Sequence, residues 1–282
     1  MKDRDIPTSG GKEKLFGTDG IRGIANQYPM TPEMALKVGQ AAARFCREQS
    51  TQPPQVVIGR DTRISGSMIE CALIAGLCSM GVHVMRAGVC PTPGVAFLTR
   101  RLGANAGIVV SASHNPFEDN GIKFFNANGF KLSDAQEASL EALVLNGRAE
   151  ARPTGHELGR VHQLPNAVES YIAFLKTSVR PDNLLHGFKI AMDCSNGATF
   201  TVAPQLFSEL GARVIPLAVS PDGTNINHRC GSQHPEFLAE KVVETRSRLG
   251  VAFDGDGDRL IAVDETGAVL SGDQILAVLG QF

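Results

Sequence analysis

From Gln55 onward the chain alternates short β-branched runs with helix-length segments, and it does so twice. QVVIG (55–59) leads through the polar loop RDTRISGS into SMIECALIAGLCSMG (67–81). VHVMRA (82–87), TPGVAFLTRRLG (92–103) and AGIVVSA (106–112) follow. The same order recurs as FKIAMD (188–193), a helix at 199–210, ARVIPL (212–217), HPEFLAEKVVETRSRLG (234–250) and VAFD (251–254). Gly81, Gly103 and Gly211 stand where helices should close. Strands separated by helices need crossover connections, so they lie parallel, with ligand-accessible loops at their ends. The chain is expected to be α/β: two consecutive three-layer αβα domains with mixed, mostly parallel sheets, plus the start of a third domain.

The boundaries follow from where periodicity fails. Residues 1–14 are polar and charged and read as a disordered tail. The first domain is placed at 15–158; within it, KFFNANGFKL (123–132) reads as a hairpin and Ser133 caps a helix towards Leu145. NGRAEARPTGHELGR (146–160) has no periodicity and reads as a linker. The second domain is placed at 159–260, opening with a helix around 165–178. LIAVDETGAVLSG (260–272) reads as a hairpin and DQILAVLG as a helix start. Two strands and a helix make no core of their own, so 261–282 is expected to be the truncated start of a third domain.

Several classes of partner are excluded by composition. Lys and Arg total 27 against 29 Asp and Glu, a net charge of −2, which argues against nucleic-acid or anionic-membrane surfaces. There is neither a signal-peptide pattern nor an apolar run long enough to span a bilayer. The six cysteines have no C-x-x-C spacing and are expected to be buried free thiols of a cytoplasmic protein.

The strongest chemistry is Asp254-Gly-Asp256-Gly-Asp258-Arg259, directly after VAF. Three carboxylates on alternate residues repel one another, and the intervening glycines let the backbone bend until their oxygens converge on one hard cation. A solvated acidic turn is the bland alternative. An EF-hand loop fails, because Arg259 occupies the position that requires glycine and β-rich runs replace the flanking helices. Arg259 beside a metal suits a ligand that brings its own negative charge, such as phosphate.

A second cluster is Ser111-Ala-Ser113-His114-Asn115-Pro116, followed by Asp119-Asn-Gly-Ile-Lys123 at the end of an apolar strand. Adjacent Ser and His in an extended chain point apart and the G-x-S-x-G elbow is absent, so this is no hydrolase pair. The alternative is a hydrogen-bonded turn that closes the strand. Phe16-Gly-Thr-Asp-Gly-Ile-Arg22-Gly23 offers amides and a guanidinium to an anion, or is a plain glycine-rich turn. Gly59-Arg60-Asp61-Thr62-Arg63 is similar, and its charges could simply pair with each other or with the helix end.

FGTDGIRG, SASHNPFEDNGIKFF, NINHRCGSQHPEFL (225–238) and DGDGDR together resemble the α-D-phosphohexomutases, in that family's order and approximate spacing. The FGTDGIRG form is more similar to the family's glucosamine branch than to its phosphomannomutase/phosphoglucomutase branch. The likeness covers nearly everything from Leu15 to Gly280.

The resemblance implies that Ser113 carries a phosphoryl group and that Asp254, Asp256 and Asp258 hold one Mg²⁺ together with an oxygen of that group. Arg22 and Arg259 match phosphate-steadying arginines. His114 and Lys123 match positions near the reacting hydroxyl, and either could be the general acid/base. The implied isomerase interconverts glucosamine 6-phosphate and glucosamine 1-phosphate through a 1,6-bisphosphate, feeding UDP-N-acetylglucosamine and cell-wall precursor synthesis. Homodimerisation is left open. Family members have four domains, so this chain alone is expected to bind Mg²⁺ but turn over little substrate. A phosphomannomutase/phosphoglucomutase and a non-catalytic metal- or phosphosugar-binding fragment are the rival readings.

Overall fold

The computed structural model describes residues 14–17, 20–48, 50, 52–147, 152–179 and 184–281. The expected disordered tail lies outside these residues, apart from Lys14. In the first half the elements run β1 (Ile21–Ile24), α1 (Pro32–Arg47), β2 (Gln55–Arg60), α2 (Gly66–Ser79), β3 (His83–Val89), α3 (Thr92–Arg101), β4 (Ala106–Val110), β5 (Asp119–Asn126) and α4 (Asp134–Asn146). Then come β6 (Val161–Gln163), α5 (Ala167–Lys176), β7 (Lys189–Asp193), α6 (Val202–Glu209), β8 (Arg213–Leu217), α7 (Pro235–Thr245) and β9 (Leu249–Phe253). The chain closes with β10 (Leu260–Asp264), β11 (Val269–Leu270) and α8 (Gly272–Leu279). No helix among the described residues is long and apolar enough to cross a membrane.

Two sheets carry these elements, ordered β1-β5-β4-β2-β3-β6 and β11-β10-β9-β7-β8. The inner strands are parallel, and β5 and β10 run antiparallel beside β4 and β9. Side chains alternate across each sheet. Val56 and Ile58 join the core under α1, α2 and α4, while Val57 faces Val95 and Leu98 of α3 on the opposite side. In the second sheet Ile190 and Met192 pack with α6, and Ala191 packs with Leu238 and Val242 of α7. Both halves are therefore three-layer αβα units, as the alternation predicts.

The local signals explain the ends of several elements. Ser133 caps α4 in a reciprocal capping box with Gln136. Thr31 caps α1, with Pro32 in its first turn and Glu33 favourably placed for the helix dipole. α1 and β1 precede Gln55 and were not anticipated, although those capping residues were there to be read.

The structure corrects three expectations. The segment placed at the head of the second domain forms β6, which pairs parallel with β3 and so extends the first sheet past residue 158. The hairpin assigned to a third domain instead continues the second sheet, β10 pairing with β9 and β11 with β10. A short loop between β9 and β10 leaves the returning strand beside its predecessor, where the open edge supplies its hydrogen bonds. Finally, Cys71 is exposed and Cys78 half-buried, whereas Cys46, Cys90, Cys194 and Cys230 are buried; all six thiols are free.

α1 and α2 meet through glycines. A Cβ on Gly39 would lie 2.4 Å from the Leu73 carbonyl oxygen, and one on Gly76 would lie 2.3 Å from that of Leu36. Gly39→Ala gains about 1 kcal/mol of helix propensity, but overpacking costs about 1–3 kcal/mol because whole helices must part. Thermal unfolding of this variant should show a lower Tm than the parent. A raised Tm would mean that the two helices separate easily.

Candidate active site

β4 is buried along its whole length, which fixes the point where the chain leaves the first sheet. Beyond it Ser113 adopts φ 55°, a left-handed turn, and the chain returns in β5. β5 begins at Asp119, earlier than expected, and places Lys123 opposite Val109. On its other side β1 pairs with it, setting Arg22 opposite Gly121. Thr18 and Asp19 of the glycine-rich segment lie outside the described residues.

The acidic loop occupies the corresponding station in the second sheet, between β9 and β10. Ligand oxygens of Asp254, Asp256 and Asp258 all lie within 4.8 Å of one another. Two glycines permit this. Gly257 takes φ 72°, and a Cβ on Gly255 would lie 2.5 Å from the Ser113 carbonyl oxygen. The two loops thus meet backbone to backbone, and the Ser113 hydroxyl donates to Asp254 Oδ2 at 2.5 Å.

Charge in the cluster is only partly matched. Lys123 Nζ is 2.8 Å from Asp256 Oδ2 and 3.4 Å from Asp258 Oδ2. Thr92, at the start of α3, donates its hydroxyl to Asp256 Oδ2 at 2.5 Å and its amide to the Asp256 carbonyl at 2.9 Å. Asp256 Oδ1 is buried and has no hydrogen-bond partner among the described residues. A buried, ionised oxygen without a donor is costly. Converging hard carboxylate oxygens, one of them unsatisfied, fit a divalent cation of the oxygen-seeking kind.

The same crowding moves the protonation equilibria. Burial first, then the charges of Asp256 and Asp258, push Asp254 up to about 7. Burial would also raise Asp256, but the Lys123 ammonium and the donors around it hold it below the usual value. His114 is depressed by burial and by the positive charges of Arg259 and Arg22. Its Nδ1 is 3.5 Å from Ser113 Oγ. Arg259 lies at the rim, its Nε 3.9 Å from Asp258 and its amide donating to Asp254 Oδ1 at 3.1 Å.

Of the site residues singled out in the sequence, Ser113, His114, Asp254, Asp256, Asp258 and Arg259 lie on these two loops, Lys123 on β5 and Arg22 on β1. Thr92 and Asn227 were missed. Asn227, inside the NINHRCGSQHPEFL segment, donates its side-chain amide to the carbonyls of Ser113 and Asn115 at 2.9 and 3.0 Å. Arg63, a candidate either for an anion or for pairing with its neighbours, does pair with Asp61 and also donates to the same carbonyls. A lone Asn or Thr carries no pattern that would have revealed either contact.

Family models described as phosphoglucomutase/phosphomannomutase alpha/beta/alpha domain I and domain II match residues 13–151 and 169–267. The chain belongs to this family. Among phosphohexomutase relatives, phosphoglucosamine mutases of Syntrophus aciditrophicus and Desulforamulus reducens are each 54% identical to it over 266 residues, 94% of this chain. The chain spans 59% of the length of each of these relatives. A crystal structure of a phosphoglucomutase/phosphomannomutase family protein from Burkholderia thailandensis superposes with a TM-score of 0.81 at 29% identity, covering 95% of this chain and 58% of that one. The Paramecium phosphoglucomutase parafusin shares the fold, with a TM-score of 0.72 at 18% identity, covering 91% of this chain and 53% of that one.

The raised Asp254 value has a consequence for stability. Its carboxyl titrates near 7 in the fold against an ordinary 3.8. The folded state therefore binds more protons between those values, and this group's contribution to stability falls as pH rises through that window. A divalent cation would bind the deprotonated cluster in preference and should offset the loss. In differential scanning fluorimetry, Mg²⁺ should raise Tm more at pH 8 than at pH 5.5, and Asp256→Asn should abolish the gain. Equal shifts at the two pH values would contradict this account.

Proposed function

We propose that this chain carries the phosphoserine and metal-binding part of a phosphoglucosamine mutase, with Ser113 as the phosphoryl carrier and Asp254, Asp256 and Asp258 as ligands of one Mg²⁺. The observation that carries this reading is the Ser113 hydroxyl held 2.5 Å from Asp254 Oδ2, inside a cluster of three carboxylates from the other domain. A phosphoryl group on Ser113 brings about −1.5 to −2 charges, which three aspartates would repel. Bound Mg²⁺ would neutralise that charge and polarise the phosphoryl oxygens.

In the proposed transfer, a sugar hydroxyl oxygen forms a bond to phosphorus while the bond from phosphorus to Ser113 Oγ breaks. The hydroxyl proton needs an acceptor. His114, its pKa depressed, is suited to take it and to return it to the departing Ser113 Oγ, 3.5 Å from its Nδ1. Lys123, held against Asp256 and Asp258, is suited to neutralising charge on the transferring group. Arg259 and Arg22, whose charges both act on His114, suit the phosphate of the incoming sugar. The second half of the cycle is the reverse, Ser113 Oγ recovering a phosphoryl group from the other end of a 1,6-bisphosphate.

The glucosamine substrate, rather than mannose or glucose, is supported by the names of the relatives at 54% and 53% identity. Glucosamine 1-phosphate would feed UDP-N-acetylglucosamine synthesis, and free thiols suit the cytoplasm. A narrower reading applies to the chain by itself. It spans 59% of the length of these relatives, and its own residues are proposed to load Ser113 and bind Mg²⁺.

Incubation with Mg²⁺ and glucose 1,6-bisphosphate, followed by peptide mass spectrometry, should find one phosphoryl group on Ser113. Ser113→Ala should lower phosphoryl transfer by about three orders of magnitude or more, as loss of a covalent nucleophile does, with Mg²⁺ binding weakened but present. A phosphoryl group on any other residue, or full transfer by the alanine variant, would remove Ser113 from this role.

A further inference from the structure

Arg63 is 1% exposed, and a guanidinium so placed keeps its charge only if protein groups replace its water. All five of its side-chain donors are used. Nε donates to Asp61 Oδ2 at 2.8 Å, Nη2 to the carbonyls of Ser113 and Asn115 at 2.9 Å each, and Nη1 to the carbonyls of Asp119 at 3.0 Å and of Pro116. The segment 113–119 is therefore wrapped around one buried cation, four of its carbonyls turned inward.

Asp61 completes the frame. Its Oδ1 accepts the Arg63 amide at 3.0 Å and its Oδ2 accepts the Ser111 hydroxyl at 2.6 Å, while Ser111 Oγ accepts the Ser113 amide at 2.9 Å. Ser113 is thus held at its amide through Ser111 and at its carbonyl by Arg63. Asn227 reaches the same Ser113 and Asn115 carbonyls from the second domain. The restraint matters because Ser113 sits at φ 55°, a region that non-glycine residues seldom adopt. Released from it, the residue would relax to an extended conformation and carry Oγ away from Asp254.

We propose that Arg63 is a positioning residue for phosphoryl transfer at Ser113: it fixes the backbone of residues 113–119 so that Ser113 Oγ faces the carboxylate cluster. This rests on the mutase reading of the same site. Lysine cannot take over the role, because a single ammonium lacks the planar fork that meets carbonyls on two sides and the carboxylate on a third.

The test uses the full chain carrying Arg63→Lys, which keeps the charge. Hydrogen exchange by mass spectrometry should speed up about 30-fold within 113–119, the loss expected for one or two charge-assisted hydrogen bonds, with β2 and β4 amides within about threefold of the parent. Loading of Ser113 from glucose 1,6-bisphosphate should slow about 30-fold. The Mg²⁺ dissociation constant, measured by calorimetry, should stay within about threefold, since the carboxylates belong to the other domain. Asn227→Ala, which leaves the buried charge paired, should raise exchange in the same segment about tenfold.

Unchanged exchange in 113–119 in either variant overturns the proposal. So does acceleration throughout the domain, or failure of Arg63→Lys to fold, either of which would make Arg63 a general strut. Normal loading by a folded Arg63→Lys also overturns it. If the parent chain never loads Ser113, the mutase reading fails for this chain, while the exchange pattern still decides whether Arg63 fixes the loop.

Discussion

Three carboxylates and a serine hydroxyl come together where the two sheets abut, and the rest of the site depends on the contact between Ser113 and Asp254. Neither domain makes this arrangement alone. The second supplies the carboxylates, and the first supplies the hydroxyl, the Lys123 ammonium and the Thr92 donors. A dense negative cluster at the edge of one domain draws cationic and donor groups from the other, so the seam is polar. Further bonds extend it away from the cluster, from the Thr62 hydroxyl to the Asn196 carbonyl and from the Ile64 amide to that of Gly223. Among the described residues Lys123 and Arg259 pair with the aspartates, and Asp256 Oδ1 still has no hydrogen-bond partner.

The two halves place their functional loops at the same station. In each, three parallel strands are ordered third, first, second, and an antiparallel strand returns beside the third. The Ser113 loop joins β4 to β5 and the acidic loop joins β9 to β10. Turning back at the end of a buried parallel strand forces a tight loop into the space above the sheet, where backbone groups and short side chains face a ligand rather than the core. One architecture, used twice, thus delivers a serine hydroxyl from one side and a cluster of carboxylates from the other.

Much of this was legible in local sequence. Alternating β-branched runs and glycine-terminated helices foretold both αβα units, because strand and helix periodicities are set by neighbouring residues. The acidic loop was legible too, since three aspartates spaced by glycine have few stable uses without a cation. What escaped had weak local patterns. β6 is a three-residue exposed edge strand with no alternation to detect. β10 and β11 look like an independent hairpin, because which open edge a strand joins is written in no local period. Helix α1 differs: it carried capping signals and a clear division between polar and apolar faces, with a buried face that is mostly alanine.

The sequence by itself determined the kinds of element, their order, and the groups available for chemistry: Ser113, Lys123, the three aspartates and the arginines. Those are consequences of residue type and short-range spacing. The tertiary structure decided which of them meet. Asp254 and Ser113 are 141 positions apart, and their contact requires two separately built sheets to abut at their loop ends. It also brought Arg63, Thr92 and Asn227 against the Ser113 loop and the acidic cluster. A buried guanidinium or amide acquires its role from the carbonyls and carboxylates that long-range packing presses against it.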